Sequence, residues 1–132
     1  MSLFGELDVA SADDDPYSIP DNTYETFLYD VKVGPTKAND KIGMTLVFKI
    51  SEGQYEGREI REWKWVPQPV DPKNPTQEEA SAASYLKARM VDLGVTADRM
   101  NSIEPDELIG IKCTVTVKTK NGYANVRGVK LS

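Results

Sequence analysis

The residues best suited to bind a ligand are the two tryptophans of the chain, Trp63 and Trp65, and the basic residues near them. The segment 58–66, which contains both rings, has three basic residues: Arg58, Arg61 and Lys64. Proteins that bind single-stranded nucleic acid without sequence preference stack bases on aromatic rings along a basic groove. This segment is therefore the first candidate for a binding surface.

Catalysis has little support in the sequence. The chain has no histidine and one cysteine, Cys113, so it lacks the commonest general base and zinc ligand and cannot form an internal disulfide. It contains no phosphate-binding glycine loop, no nucleophile elbow and no metal-ligand spacing. The acidic run at 13–15 would hold a divalent ion only weakly. We therefore expect a protein that is not an enzyme and has no cofactor or metal, with Cys113 buried in the core.

Charge divides the chain into two parts. Residues 1–22 hold six of the 21 acids and no base, so residues 23–132 carry 15 acids against 16 bases, a net charge of +1. We predict an acidic flexible arm at 1–22 and one folded domain at 23–132. The arm is either a solvated tail or a segment that covers a basic face or recruits partner proteins. A domain with a net charge near zero is compatible with a local basic groove.

Nothing in the sequence predicts a membrane segment. No apolar run approaches the roughly 18 residues that cross a bilayer, and the acidic N-terminus lacks the basic and apolar regions of a signal peptide. A cytoplasmic location is expected.

Alternating apolar residues predict three strands in the first half of the chain, at 24–33, 42–51 and 58–66. The buried face of the second strand is predicted to carry Met44, Leu46, Phe48 and Ile50. The buried face of the first strand is predicted to carry Phe27, Tyr29, Val31 and Val33. Glycines at 53 and 57 suit a reversal between the second and third strands.

A helix and a final hairpin are predicted in the second half. Thr76 and Glu79 fit a capping box, and Gly94 suits the C-terminal end of the helix. Strands at 111–120 and 123–131 flank Asn121-Gly122, a strong hairpin signal, and Gly128 suits a bulge. The proline-rich segment 67–75 is either a stiff spacer or a ligand for an aromatic groove.

The element order β-β-β-α-β-β predicts a mainly β fold. It is the order of the OB-fold, a five-stranded barrel with a helix between strands three and four. The alternative is an open sheet with one helix packed across it.

Residues 20–132 also resemble a known family. The resemblance rests on five short patterns of glycine and apolar residues. They are Tyr24-x-x-x-Leu28, Gly43-Met44-x-Leu46, Gly53-x-Tyr55-x-Gly57-Arg58, Leu93-Gly94 at a helix end, and Leu108-Ile109-Gly110 before an alternating strand. They are similar to those of small OB-fold single-stranded-DNA-binding proteins of double-stranded DNA bacteriophages, encoded among replication and recombination genes.

The resemblance implies passive, sequence-independent binding of single-stranded DNA in the host cytoplasm. The acidic segment is N-terminal here, whereas bacterial single-strand binders carry it at the C-terminus. Recruitment of replication or recombination proteins by this arm is thus a separate hypothesis. Because one OB-fold covers few nucleotides, a homo-oligomer would suit the function.

The predicted nucleic-acid-binding residues lie in three regions. The first loop and the strand after it contribute Lys37, Lys41 and Lys49. The turn and third strand contribute Tyr55, Arg58, Arg61, Trp63, Lys64 and Trp65. The last hairpin contributes Lys118, Lys120, Tyr123 and Arg127.

The orientation of the tryptophans is open. Alternation puts Arg61, Trp63 and Trp65 on one face of the third strand, and Ile60, Glu62, Lys64 and Val66 on the other. Either the tryptophans point inward and Glu62 and Lys64 form a solvated pair, or a bulge leaves one ring outside. Trp65 is our choice for the exposed ring, and Tyr55 is expected to be exposed at the turn tip. Phe27 and Tyr29 are expected in the core.

A second function remains open. The chain would then be a non-enzymatic interaction or structural module of a phage complex, with the proline-rich segment and the acidic arm as contact elements.

Overall fold

The computed structural model describes residues 19–36, 41–120 and 123–132, without the side chains of residues 123 and 124. Its strands are β1 (Asn22–Pro35), β2 (Ile42–Ile50), β3 (Glu59–Val66), β4 (Lys112–Lys120) and β5 (Tyr123–Leu131). Helix α1 (Gln77–Asp92) lies between β3 and β4, and a short 3₁₀ helix (Pro105–Leu108) precedes β4. The predicted element order is confirmed. Residues 1–18 and the turn Asn121-Gly122 lie outside the described residues.

The five strands form one antiparallel sheet in the order β3-β2-β1-β4-β5. The edge strands β3 and β5 contact each other, and α1 packs against both. No hydrogen-bonded ladder joins β3 to β5, so the sheet is not closed into a barrel. A mainly β fold, with a single α-helix in the described part of the chain, is thus confirmed, and the closed barrel is not.

One face of the sheet, the inner face, carries the core. Met44, Leu46, Phe48 and Ile50 are all buried there, as the alternation predicts. Cys113 is buried as expected, and burial raises the pKa of its thiol. Ile19 also belongs to the core cluster, so the folded body reaches back beyond the predicted boundary at residue 23.

The predicted inner face of β1 is wrong. Of Phe27, Tyr29, Val31 and Val33, only Val31 is buried, and Leu28 is buried instead. The β1–β2 register shifts between Leu28 and Asp30, which leaves Tyr29 as the extra residue of a bulge. At this point the backbone of Leu28 bonds to the segment before β4, where its N–H donates to Ile111 O at 2.8 Å. The bulge turns Tyr29 away from the core.

Helix α1 begins as predicted. Thr76 Oγ1 accepts from Glu79 N at 3.1 Å and Glu79 Oε1 accepts from Thr76 N at 2.8 Å, which completes the capping box. After the helix, Gly94 has φ +85°. A β-carbon at this position would lie 2.8 Å from Leu131 Cδ1. The absence of a side chain therefore also lets the end of β5 pack closely against the residue that follows the helix.

A buried ion pair joins α1 to β3. Arg89 donates to both carboxylate oxygens of Glu62, at 2.6 and 2.8 Å, and to Asp92 Oδ2 at 2.8 Å. The side chains of Arg89 and Glu62 are each 10% exposed. Burial alone would lower the pKa of Arg89, but the two carboxylates outweigh burial and raise it. Glu62 is therefore not half of a solvated pair, because Arg89 holds it against the helix.

Replacing Glu62 by Gln removes the more buried of the two carboxylates that pair with Arg89. We expect Glu62→Gln to lower the free energy of unfolding by about 3–5 kcal/mol, the usual cost of breaking a buried ion pair. The matched control is Glu59→Gln, which breaks the more exposed pair with Arg61 at 3.3 Å and should cost about 0–1 kcal/mol. Urea unfolding measures both, and equal effects would contradict this role of Glu62.

Candidate nucleic-acid interface

The face of the sheet opposite the core, here called the outer face, is defined by the strand register. Directly paired residues of an antiparallel ladder point to the same face. Four rows run across β1, β2 and β3 on this face: Phe27–Lys49–Glu59, Asp30–Val47–Arg61, Lys32–Thr45–Trp63 and Gly34–Gly43–Trp65. The register of β3 has no shift, so both tryptophans lie on the outer face. The expectation that a tryptophan points inward, or that a bulge separates the two, is wrong.

Two aromatic rings of β1 join this face because of the bulge. Tyr29 is 49% exposed, and its ring meets that of half-buried Phe27 edge to face, 6.3 Å between centroids. Lys49 Nζ lies 4.1 Å from the centre of the Tyr29 ring. An exposed ring beside a cation offers a stacking surface next to a phosphate contact. The expectation that Tyr29 and Phe27 are core residues is wrong.

Trp63 is the more exposed of the two tryptophans, at 51%, whereas Trp65 is half-buried. Our choice of Trp65 as the exposed ring is therefore wrong. The indole of Trp63 lies against β2 at Gly43, where a β-carbon would overlap its Nε1. The missing side chain of Gly43 thus makes the space in which the indole lies.

The outer face also carries basic side chains beside the rings. The side chain of Arg61 is 59% exposed and forms an ion pair with Glu59. Lys32 is also exposed, and it lies in the same cross-strand row as Trp63. Lys112 of β4 pairs with Phe27 and is exposed. Val47, in the middle of β2, is only 1% exposed on this face, so the neighbouring side chains cover the sheet at this one position.

Trp65 lies at the far end of β3, beside the helix. Lys41 Nζ is 4.9 Å from its ring centre. Lys64 points to the inner face instead, where its Nζ lies 3.9 Å from Glu62 and 5.8 Å from the ring centre of Tyr85 on α1. The structure therefore separates Lys64 from the predicted residues of the outer face.

The last hairpin forms a second basic cluster. Lys118, Lys120 and Arg127 are exposed and line a depression of about 320 Å³. Arg127 is the extra residue of a bulge next to Gly128, as predicted. Asp21 accepts from Thr119 N at 2.7 Å within this cluster, and hydrogen bonding to Thr119 holds the pKa of Asp21 below its ordinary value. The cluster thus has a fixed carboxylate among its cations.

The remaining predicted residues are dispersed. Tyr55 is half-buried, not exposed, because the turn brings its ring edge-on to Tyr24, 6.2 Å between centroids. Arg58 is half-buried just before β3. Lys37 and the side chain of Tyr123 lie outside the described residues.

Comparisons with family models, with curated proteins and with solved structures found no match to this chain. Within the described residues, no three acidic or cysteine side chains come together as a metal site. No helix in the described part of the chain is long and apolar enough to cross a membrane.

Replacing Gly43 by Ala tests the placement of Trp63. The added methyl group would overlap the indole, so we expect Gly43→Ala to displace the ring and to shift the tryptophan emission to longer wavelength. Overpacking of this kind costs about 1–3 kcal/mol of stability. The control is Gly34→Ala, in the same row, where a β-carbon meets nothing within 4 Å. Unchanged emission in Gly43→Ala would contradict the placement.

Proposed function

We propose that this protein binds single-stranded DNA, without sequence preference, through the outer face of β1, β2 and β3. Bases stack on Tyr29 and Trp63, and phosphates contact Lys49 and Arg61. The observation that carries the proposal is the pair of half-exposed rings on one sheet face with basic side chains beside them.

Base stacking favours the outer face over the last hairpin as the main binding surface. Each base stacked on an aromatic side chain contributes roughly 1–3 kcal/mol, and Tyr29 and Trp63 offer two such surfaces. Phosphate contacts add affinity that falls with salt. The described side chains of the Lys118–Arg127 cluster supply cations but no aromatic ring, and Asp21 offsets part of their charge. That cluster fits a secondary contact to the backbone of the strand.

The architecture is compatible with an OB-fold that is partly open. Such barrels have five strands and bind oligonucleotides on the face of strands two and three. In this chain Lys49, Arg61 and Trp63 lie on those strands, and β3 contacts β5 without a ladder. The resemblance to phage single-strand binders leads us to propose a role in phage DNA replication or recombination, in which the protein keeps strands unpaired.

The test is a titration of tryptophan fluorescence with oligo-dT at low and higher salt. We expect quenching, and we expect Trp63→Ala or Tyr29→Ala to weaken binding about five- to hundredfold, as the loss of one stacked base would. Fluorescence anisotropy of labelled oligo-dT measures these affinities without relying on tryptophan.

A separate experiment tests the contacts between basic side chains and phosphates. We expect Lys49→Ala and Arg61→Ala each to reduce the slope of log K against log salt by about 0.7, the value for one phosphate contact on a single strand. Lys87→Ala, which removes an exposed lysine of α1, is the matched control and should leave the slope unchanged. The absence of both quenching and a gel shift at low salt would overturn the proposal and favour the interaction-module hypothesis.

A further inference from the structure

A groove separates the end of β3 from the first turns of α1. Its volume is about 450 Å³, and its largest lining side chains are Trp65 on the strand and Tyr85 on the helix. Tyr85 is 68% exposed, the most exposed aromatic side chain among those that the structure describes. A large ring left in solvent on a helix that has a core-facing side is a candidate contact for a ligand.

Each of the two rings has its own lysine. Lys41 Nζ lies 4.9 Å from the Trp65 ring centre and Lys64 Nζ lies 5.8 Å from that of Tyr85. Lys64 also lies 3.9 Å from Glu62, but the carboxylate of Glu62 is already held at 2.6 and 2.8 Å by Arg89. The contact of Lys64 with Glu62 is thus the longer of the two that this carboxylate makes, and the amine of Lys64 is placed to turn toward a phosphate at Tyr85. Among the described residues that line the groove, Glu78 is the one acid.

The groove is continuous with the outer face. Trp63 and Trp65 are two residues apart on one strand face, about 7 Å along β3. The indole of Trp63 fills the space over Gly43, and Gly43 is the direct cross-strand partner of Trp65. A strand lying on Trp63 would therefore reach Trp65 without crossing a gap, and the groove beyond it.

We propose that the groove is a second stacking subsite for the same single strand. The strand continues from Trp63 across Trp65, a base stacks on Tyr85, and its phosphates contact Lys41 and Lys64. The occupant is an anionic, ring-bearing polymer, because two aromatic rings line the groove and a lysine amine lies beside each ring. This inference rests on the proposed function and extends the footprint from the sheet onto the helix.

Two oligo-dT lengths test the subsite. Footprints of single OB-folds are about 4–16 nucleotides, so the lengths are about 5 and about 16. In the wild type the long strand should bind more tightly than the short one. Tyr85→Ala should reduce the ratio of the affinity for the long strand to that for the short strand about five- to hundredfold. Tyr85→Phe keeps the ring and should retain the advantage, and Lys87→Ala controls for the loss of a side chain elsewhere on α1.

Fluorescence gives a second readout. In Trp63→Phe, Trp65 is the only tryptophan of the chain. We expect the long oligonucleotide to quench it and the short one to quench it less. If Tyr85→Ala keeps the full advantage of the long strand while Trp63→Ala loses affinity for both lengths, the subsite is wrong and the proposed function stands. If the wild type binds neither length at low salt, both are wrong.

Discussion

The ion pair between Glu62 and Arg89 anchors the inner face of β3 to the helix. Glu62 lies on the inner face of an edge strand, where a lone carboxylate would be costly to bury. Arg89 of α1 satisfies it with two hydrogen bonds, at 2.6 and 2.8 Å. Because side chains alternate along a strand, fixing Glu62 inward sends Trp63 and Trp65 outward. The same pair holds α1 beside β3 and so maintains the groove between Trp65 and the helix.

The bulge in β1 completes the outer face. Leu28 and Val31 both point to the inner face although they lie three positions apart, which a strand without a bulge would not allow. The extra residue turns Tyr29 outward, under the amine of Lys49. Gly43 then gives the indole of Trp63 room to lie against β2. Two backbone features, one bulge and one glycine, thus place rings from two non-adjacent strands on the same face of the sheet.

Much of this arrangement could be predicted from the sequence. Alternation located the strands and the buried face of β2, and Thr76 and Glu79 identified the start of the helix. The bulge could not be found from apolar spacing, because an inserted residue reverses the alternation without changing composition. The direction of Glu62 depends on Arg89, a residue 27 positions away in the chain. Such long-range pairing leaves no periodic signal, and the tryptophan orientation was wrong for that reason.

We propose that a single strand lies on the outer face of β1, β2 and β3. The most direct measurement is a two-dimensional ¹H–¹⁵N NMR titration with oligo-dT. We expect the largest shifts at the indole N–H of Trp63 and at the amides of Tyr29, Lys49 and Arg61. Shifts confined to the β4–β5 hairpin around Lys118, or no shifts at low salt, would contradict it.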